Sequence, residues 1–377
     1  MFLAVREIAR AKVRFGLLAG AVGLLVFLIL FQQALLTGLI NQFIGALKHQ
    51  SGQVLVYNDQ ARKNLEGSIV LPAQQAAIAA VPGVAVSSPL GQGTFTVTVD
   101  VNGNMKETDA VLFGYVLGGP GAPTTLVEGR LPTADNEGVA SEKDRDDGFG
   151  LGDVVRIEPD GVEITVVGLA RDINYSVSPV LFVSFPTFEA AKRTRNPDAV
   201  EILPSVMAVQ VEAGSTPKEV AQRINDQVPG VEALTRQQAV NSSPGVSSVR
   251  SSFAIILALF YLVVPLVTGL FFLIVTFQKA SALTLLRAIG SPASVLVRSL
   301  LVQVAIVVLA GSVLATGLYA LAVQGVQNLG LTVELKPVFI TVAVVLALAM
   351  LTSLVAVRRV LRLDPLAATT GAGVRVG

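Results

Sequence analysis

Four long apolar runs set the pattern of this chain, and a polar stretch of about two hundred residues separates the first run from the other three. The runs cover residues 15–31, 253–277, 299–323 and 338–357. A helix needs about 20 apolar residues to cross the hydrocarbon core of a bilayer, where every backbone amide must be bonded within its own segment. The pattern therefore predicts four transmembrane helices and one large polar domain.

The first run is short for a membrane span, but its helical pattern continues beyond residue 31. Apolar residues recur at helical spacing as far as Leu47, with Gln32, Gln33, Asn41 and Gln42 between them. The basic residues before this run would also suit a cleaved signal peptide. Three later spans favour an uncleaved anchor, so we predict one long helix that leaves the membrane as an amphipathic stalk.

Basic residues cluster at three places that share one side of the membrane if the four helices alternate in direction. They are Arg6, Arg10, Lys12 and Arg14 before the first run, Lys279, Arg287 and Arg298 between the second and third, and Arg358, Arg359 and Arg362 after the fourth. The positive-inside rule assigns this side to the cytoplasm. The polar domain, residues 48–250, is then expected outside.

Inside the spans, small residues and one proline suggest how the helices pack. Pro265 and Gly269 are expected to bend the second helix, while Gly311, Ala315 and Gly317 offer small surfaces for close packing of the third. Because few ionisable groups line the runs, a pathway for ions or polar solutes is not supported.

Composition excludes several classes of function. The chain is 52% hydrophobic and 15% charged, with a net charge of +1, so no strong overall field points to nucleic acid. It contains no cysteine, which excludes disulfides and thiolate metal sites. An exported domain of this size can bury a core without such links.

The first and last parts of the polar domain show the same order of elements. A predicted strand, a predicted helix and the letters Val-Pro-Gly-Val occur at residues 53–57, 73–80 and 81–84, and again at 207–211, 217–227 and 228–231. Thr216 and Pro217 suit the start of the second helix. This repetition predicts a duplicated β-α-β lobe.

Between these halves the pattern changes to alternating strands with tight turns. Asn102-Gly103 follows the alternating residues 94–101, and Asp160-Gly161 lies between residues 153–158 and 162–169. Both dipeptides accept the positive φ angles of hairpin turns. We therefore predict a β-rich lobe, about residues 91–175, inserted in the α+β lobe.

Candidate chemistry in the polar domain is sparse. The acidic run Glu142, Asp144, Asp146 and Asp147 lacks the ligand spacing of a calcium loop, so a solvated loop is preferred. His49 is the only histidine, and packing or plain exposure is favoured over catalysis. An exported enzyme is disfavoured, and we expect no catalytic, cofactor or metal site in this chain.

The segment between the second and third spans is amphipathic. Ala282, Leu283, Leu286 and Ile289 share one helical stripe, and Gly290 can end the helix in the left-handed region. Such a stripe can lie among lipid headgroups or insert into a groove on a cytosolic partner. Periodicity alone leaves both alternatives open.

Several short motifs occur in a characteristic order. They are EGRLP at residues 128–132, GLGDVV at 150–155, VVG at 166–168, LLRAIG at 285–290 and LDPLAA at 363–368. Together with the layout of the spans, they make the chain resemble the permease subunits of MacB/FtsX-type ABC transporters, a family that includes DevC-like proteins. One departure is that Ala282, Leu283 and Thr284 replace the family's frequent Glu-Ile-Gly.

The resemblance implies an α-helical membrane protein with four transmembrane helices and an α+β extracytoplasmic domain made of the duplicated β-α-β lobe and the β-rich insert. The expected segments are a cytoplasmic N-terminus (1–14), helix 1 with its stalk (15–47), the MacB-like core domain (48–250), helix 2 (251–277), a cytoplasmic coupling helix (278–294), helix 3 (295–323), an outer loop (324–337), helix 4 (338–357) and a cytoplasmic tail (358–377).

The resemblance also implies partners in a bacterial plasma membrane. We expect a homodimer, or a dimer with a similar permease, bound to two copies of a separate ATPase subunit that carries ATP and Mg. A periplasmic adaptor or another extracytoplasmic protein is a further possible partner, beside membrane lipid. The residues expected to couple the permease to the ATPase are Lys279, Leu283, Leu286, Arg287, Ile289 and Gly290.

The expected function is ATP-driven movement of the extracytoplasmic domain for export or extraction of a lipid, lipoprotein, peptide or other envelope substrate. The alternative is an FtsX-like regulatory protein that activates an extracytoplasmic partner, such as a cell-wall hydrolase, without transport. The residues alone do not separate the two.

The coupling assignment can be tested with Leu286→Asp and Arg287→Glu. A charge on the apolar stripe, or a reversed charge beside it, is expected to abolish association with the ATPase while the outer domain stays folded. Co-purification and ATP turnover measure the effect. Normal binding and turnover with both changes would show that the assignment is wrong.

Overall fold

The computed structural model describes residues 6, 8–278, 293–325 and 335–361. Within this part of the chain, residues up to Leu36 and from Ser251 onward form a membrane unit, and Thr37–Arg250 form an outer unit. The helices are α1 (Lys12–Lys48), α2 (Pro72–Ala79), α3 (Phe185–Arg195), α4 (Pro217–Gln227), α5 (Arg236–Ser242), α6 (Val246–Gln278), α7 (Ala293–Gly325) and α8 (Leu335–Leu361).

Four of the described helices, α1, α6, α7 and α8, are long and apolar enough to cross a membrane, as the sequence predicts. Each contributes side chains to one apolar core. Its fully or nearly fully buried members include Val22, Val26 and Ile29 of α1, Val264 and Phe272 of α6, Val304 and Ala315 of α7, and Val345 and Ala349 of α8. The remaining faces of these helices are apolar and exposed, as lipid contact requires.

The outer unit is built on one ten-stranded sheet with the order β10-β1-β9-β2-β3-β8-β5-β7-β4, in which β6 pairs with β2 and β7. The strands are β1 (Val54–Asn58), β2 (Val84–Val101), β3 (Asn104–Tyr115), β4 (Leu126–Gly129), β5 (Glu137–Ser141), β6 (Val154–Ile157), β7 (Glu163–Ala170), β8 (Val180–Ser184), β9 (Val206–Val211) and β10 (Val231–Thr235).

The predicted duplication is present as two interleaved units, β1-α2-β2 and β9-α4-β10. Strand β1 pairs with both β10 and β9, and β9 pairs with β2, so each unit supplies alternate strands. Thr216 and Glu219 form a capping box at the start of α4. A core that includes Val54, Ile78 and Ile224 fills the space between strands and helices.

The β-rich segment has its own core, but it is joined to the first lobe through a single long strand. Residues Val84–Leu90 of β2 pair with β9, and Leu90–Val101 pair with β3. The continuity of this strand is not recognisable from the sequence, because it contains the poor strand formers Pro89, Gly91 and Gly93. Gly91 is required by packing, since a Cβ there would lie 2.3 Å from the ring of Phe188 on α3.

The two predicted hairpin turns differ in detail. Asn102 and Gly103 both have positive φ, 56° and 82°, between β2 and β3. In the Asp160-Gly161 pair between β6 and β7, only Asp160 has a positive φ, at 44°. Gly161 is crowded instead, because a Cβ there would lie 2.7 Å from the carbonyl oxygen of Ile157.

The packing of α3 on the sheet can be tested with Gly114→Ala. A Cβ at Gly114 would lie 2.3 Å from the Cβ of the buried Phe188, and overpacking of this kind costs about 1–3 kcal/mol. We expect faster hydrogen–deuterium exchange in β2 and β3 of the full-length protein in detergent. Gly67→Ala is the matched control, because no described atom lies within 4 Å of that position. Equal exchange in both variants would contradict this packing.

Candidate functional site

The six residues predicted to couple the permease to an ATPase, Lys279, Leu283, Leu286, Arg287, Ile289 and Gly290, lie outside the described residues. The candidate site that the described chain offers is the end of α1 in the outer unit. There the loop 171–178, between β7 and β8, binds the helix.

Three backbone hydrogen bonds join α1 to this loop. The amides of Ser176 and Val177 donate to the carbonyl oxygens of Phe43 and Gln42, both at 3.0 Å, and the amide of Ala46 donates to the carbonyl oxygen of Asn174 at 3.2 Å. The helix is irregular at this point, because Ile44 has φ −143° and ψ 21°. Helix carbonyls that lose their intrahelical partners at such a break need others, and the loop supplies them.

Gly45 allows the helix and the loop to touch through their backbones. A Cβ at Gly45 would lie 2.3 Å from the carbonyl oxygen of Asp172, far inside van der Waals contact. No described atom lies within 4 Å of the same position on Gly16 or Gly20 of α1. Glycine is therefore required at residue 45 by the close approach of another backbone.

Asn174 connects this contact to the acidic run. Its Nδ2 donates to Oδ2 of Asp144 at 2.7 Å, and its Oδ1 accepts from Oγ of Ser141 at 3.0 Å. Burial raises the pKa of Asp144 to about 6, although the hydrogen bond from Asn174 and the charge of Lys143 act against this rise. The three polar groups form a buried network beside the stalk end.

The expectation of a solvated acidic loop is wrong for Asp144, which is only 9% exposed. The reason is the amide of Asn174, a donor thirty residues away that sequence patterns do not reveal. Asp146 and Asp147 are exposed as expected. Among the residues that the structure describes, no group of three or more His, Asp or Glu side chains suits a metal ion.

His49, directly after the stalk, is half-buried. Burial, together with the charges of Lys48 and Arg236, lowers its pKa to about 4, so the ring is neutral at pH 7. Its Nε2 is buried and has no hydrogen-bond partner among the described residues. Arg236 donates to the carbonyl oxygen of Gln50 at 2.6 Å, which ties α5 to this segment.

The EGRLP motif has a structural role in the outer unit. Both terminal nitrogens of Arg130 donate to the carboxylate of Glu137, at 2.7 and 2.5 Å, in a fork that closes the turn before β5. The hydrogen bonds from Arg130 and from the Thr133 amide lower the pKa of Glu137 to about 2. Glu128 pairs with Arg145 on the same surface.

In the membrane unit, two glutamines bind neighbouring helices. Gln33 Nε2 donates to the hydroxyls of Tyr261 at 3.3 Å and Thr341 at 3.2 Å, and Gln32 Nε2 donates to the carbonyl oxygen of Phe253 at 3.1 Å. The sequence pattern predicts that both lie between the apolar positions of the amphipathic stalk. They instead link α1 to α6 and α8, because amides in an apolar region bond to other helices.

The buried Asp144 predicts a pH dependence of stability. Since its folded pKa is raised, the native state holds its proton up to about pH 6, and this contribution to stability is lost as the pH rises through that value. Asp144→Asn is therefore expected to raise the free energy of unfolding at pH 7.5 by up to about 3 kcal/mol and to change it little at pH 4.

Thermal unfolding of the full-length protein in detergent at both pH values measures this effect. Asp147→Asn removes an exposed carboxylate from the same loop and is the control. A loss of stability at pH 7.5 in Asp144→Asn would show that the carboxylate itself is stabilising.

Comparison with known proteins agrees with this architecture. The profile of the MacB-like periplasmic core domain family matches residues 16–227, more than half of the chain. The "Putative hemin transport system permease protein HrtB" of Staphylococcus epidermidis is 22% identical over 372 residues, 98% of this chain and 99% of that protein. An uncharacterised ABC transporter permease of Mycobacterium tuberculosis is 25% identical over 386 residues, with the same coverage.

Two solved structures each match about half of this chain. The periplasmic region of MacB from Actinobacillus actinomycetemcomitans covers 51% of this chain and 92% of that structure, at 12% identity and a TM-score of 0.35. The extracellular domain of YknZ from Gram-positive bacteria covers 48% and 99%, at 16% identity and a TM-score of 0.33. The four apolar helices, the β-rich outer unit and the family match together establish that the chain belongs to the MacB-like ABC transporter permeases.

Proposed function

We propose that a separate ATPase subunit drives this permease to move its outer unit mechanically, and that the movement expels an amphipathic, largely apolar molecule of the hemin class from the membrane. The observation that carries the proposal is α1, whose regular part, from Lys12 to Phe43 before the irregular residue Ile44, contributes to both units. Its outer end is fixed by the three backbone hydrogen bonds and the Gly45 contact described above.

The physical reason is stiffness. A helix maintains its length through its own backbone hydrogen bonds, so a displacement at one end reaches the other. The outer end of α1 must also be bound firmly to the outer unit, so that a displacement of the helix moves that unit. The backbone hydrogen bonds to Gln42 and Phe43, with the close contact at Gly45 just beyond Ile44, hold that end. Long side chains would instead change rotamer and absorb the movement.

The ATPase side of the mechanism rests on the sequence. We infer two ATPase copies, which carry ATP and Mg, and a second copy of the permease. The proposed coupling helix is residues 278–294. Its basic residues, with those of the N-terminus and of the C-terminal tail, support a cytoplasmic position for both termini. Closure of the ATPase pair would then move α6 and α7, which flank this segment.

The choice of substrate rests on the relatives named for hemin transport, whose alignments cover 98% of this chain. Hemin is planar, largely apolar and enters bilayers, so its export needs no polar pathway through the charge-free spans. This supports hemin over the peptides and lipoproteins considered from sequence. Relatives named for a transport system also support transport over an FtsX-like regulatory role.

The test uses proteoliposomes that contain the permease and its ATPase subunit, with hemin as the probe. Gly45→Ala is expected to leave ATP turnover within about twofold and to lower hemin efflux at least about tenfold, because the loop must move away from the helix to admit a methyl group. Gly20→Ala, on the same helix with no described atom within 4 Å, is expected to export normally.

Two outcomes would contradict the proposal in different ways. Hemin efflux that does not depend on ATP in the unaltered protein would exclude the assigned activity. Full efflux by Gly45→Ala would retain the activity but exclude the stalk end as its mechanical link.

A further inference from the structure

A second contact between backbones lies within the membrane unit, where α1 crosses α7. A Cβ at Gly23 would lie 2.8 Å from the carbonyl oxygen of Gly311. A Cβ at Gly311 would lie 2.8 Å from the carbonyl oxygen of Ala19 and 3.0 Å from the nitrogen of Gly23. Neither position has room for a methyl group, so the two helices touch without intervening side chains.

This close approach is specific to one pair of glycines. Gly16 and Gly20 on α1, and Gly317 and Gly325 on α7, have no described atom within 4 Å of an added Cβ. Ordinary helix pairs pack 8–10 Å apart through their side chains. Among these glycines, the backbones of α1 and α7 therefore come into contact at Gly23 and Gly311 and not along the whole length of the two helices.

The crossing point has a defined place along the chain. Helix α7 begins at Ala293, directly after the segment proposed to bind the ATPase. Helix α1 is regular from Gly23 to Phe43, and the outer contact at Gly45 lies just beyond the irregular residue Ile44. A movement received by α7 that presses it against α1 would act at this contact, because the two backbones cannot come closer.

Hydrogen bonds from side chains of α1 in the membrane unit are of a different kind. Arg14, Gln32 and Gln33 reach α6 or α8 with flexible side chains. Such hydrogen bonds can exchange partners while helices slide, and each contributes little to the association of two helices. These hydrogen bonds allow α1 to shift relative to α6 and α8, whereas the backbone contact at Gly23 limits how closely α7 can approach α1.

We propose that Gly23 and Gly311 form the fulcrum through which movement of α7 is transmitted to α1. This inference rests on the proposed function and names α7, beside α6, as the helix that drives the stalk. If the crossing were ordinary packing, a methyl group there would lower stability without separating ATP turnover from movement of the outer unit.

The test follows the outer unit directly, with ATP and without any transported molecule. The chain has no cysteine, so an environment-sensitive fluorophore can be placed on Met105→Cys, at the exposed tip of the β2–β3 hairpin. In nanodiscs with the ATPase subunit, Gly311→Ala is expected to reduce the ATP-dependent fluorescence change at least about fivefold, with ATP turnover within about twofold. Gly317→Ala, on the same helix, is the control and is expected to respond fully.

The outcomes separate the fulcrum from the proposed function. A full fluorescence change in Gly311→Ala would overturn the fulcrum while the function stands. No ATP-dependent change in the unaltered protein would overturn both. Parallel loss of ATP turnover and thermal stability in Gly311→Ala would count as ordinary packing and would also overturn the fulcrum.

A second measurement avoids any change at the crossing point. Spin labels on Gly20→Cys and Gly317→Cys, both open positions, report the separation of α1 and α7 near the contact. A fulcrum requires this separation to stay within the shifts of about 1–2 Å seen at packed helix interfaces when ATP and vanadate are added, while the label at residue 105 responds. A larger change would overturn the proposal even if Gly311→Ala fails to fold.

Discussion

Contact between one backbone and another is the constraint on which this molecule depends. A side chain that blocks a movement can change rotamer for about 1 kcal/mol, but two backbones in van der Waals contact cannot pass through each other. Helix α1 has such contacts at Gly23 in the membrane unit and at Gly45 in the outer unit. Hydrogen bonds such as those of Gln32 and Gln33 involve side chains that can rearrange.

The sheet of the outer unit connects the loop that binds the stalk to both lobes of that unit. The loop 171–178 lies between β7 and β8, which both pair with β5. Strand β8 also pairs with β3, and β3 with β2, whose first half pairs with β9 of the other lobe. A load on the loop is therefore shared along continuous hydrogen-bonded ladders, and no flexible linker separates the two cores.

The features that could be predicted from sequence are those whose chemistry is local. The four spans, the Asn102-Gly103 turn and the repeated β-α-β units follow from periodicity and turn residues within a few positions of one another. The missed features depend on distant partners. Asp144 is buried by Asn174, Gln33 binds Tyr261 and Thr341, and the continuity of β2 depends on strands far along the chain. Patterns within a window carry no information about such pairs.

A buried carboxyl group beside the stalk end needs a reason, because burial alone disfavours its charge. The reason lies in the geometry of Asn174, whose amide has two distinguishable ends. Ionised Asp144 only accepts hydrogen bonds, so it must face Nδ2, and Oδ1 is then left for the hydroxyl of Ser141. This orientation fixes residue 174, whose own carbonyl oxygen accepts from Ala46 of α1. An apolar residue at position 144 would leave Nδ2 of Asn174 with only the longer hydrogen bond to the carbonyl oxygen of Ser178, at 3.4 Å. The carboxyl group therefore holds the loop in one conformation at the point where the helix is bound.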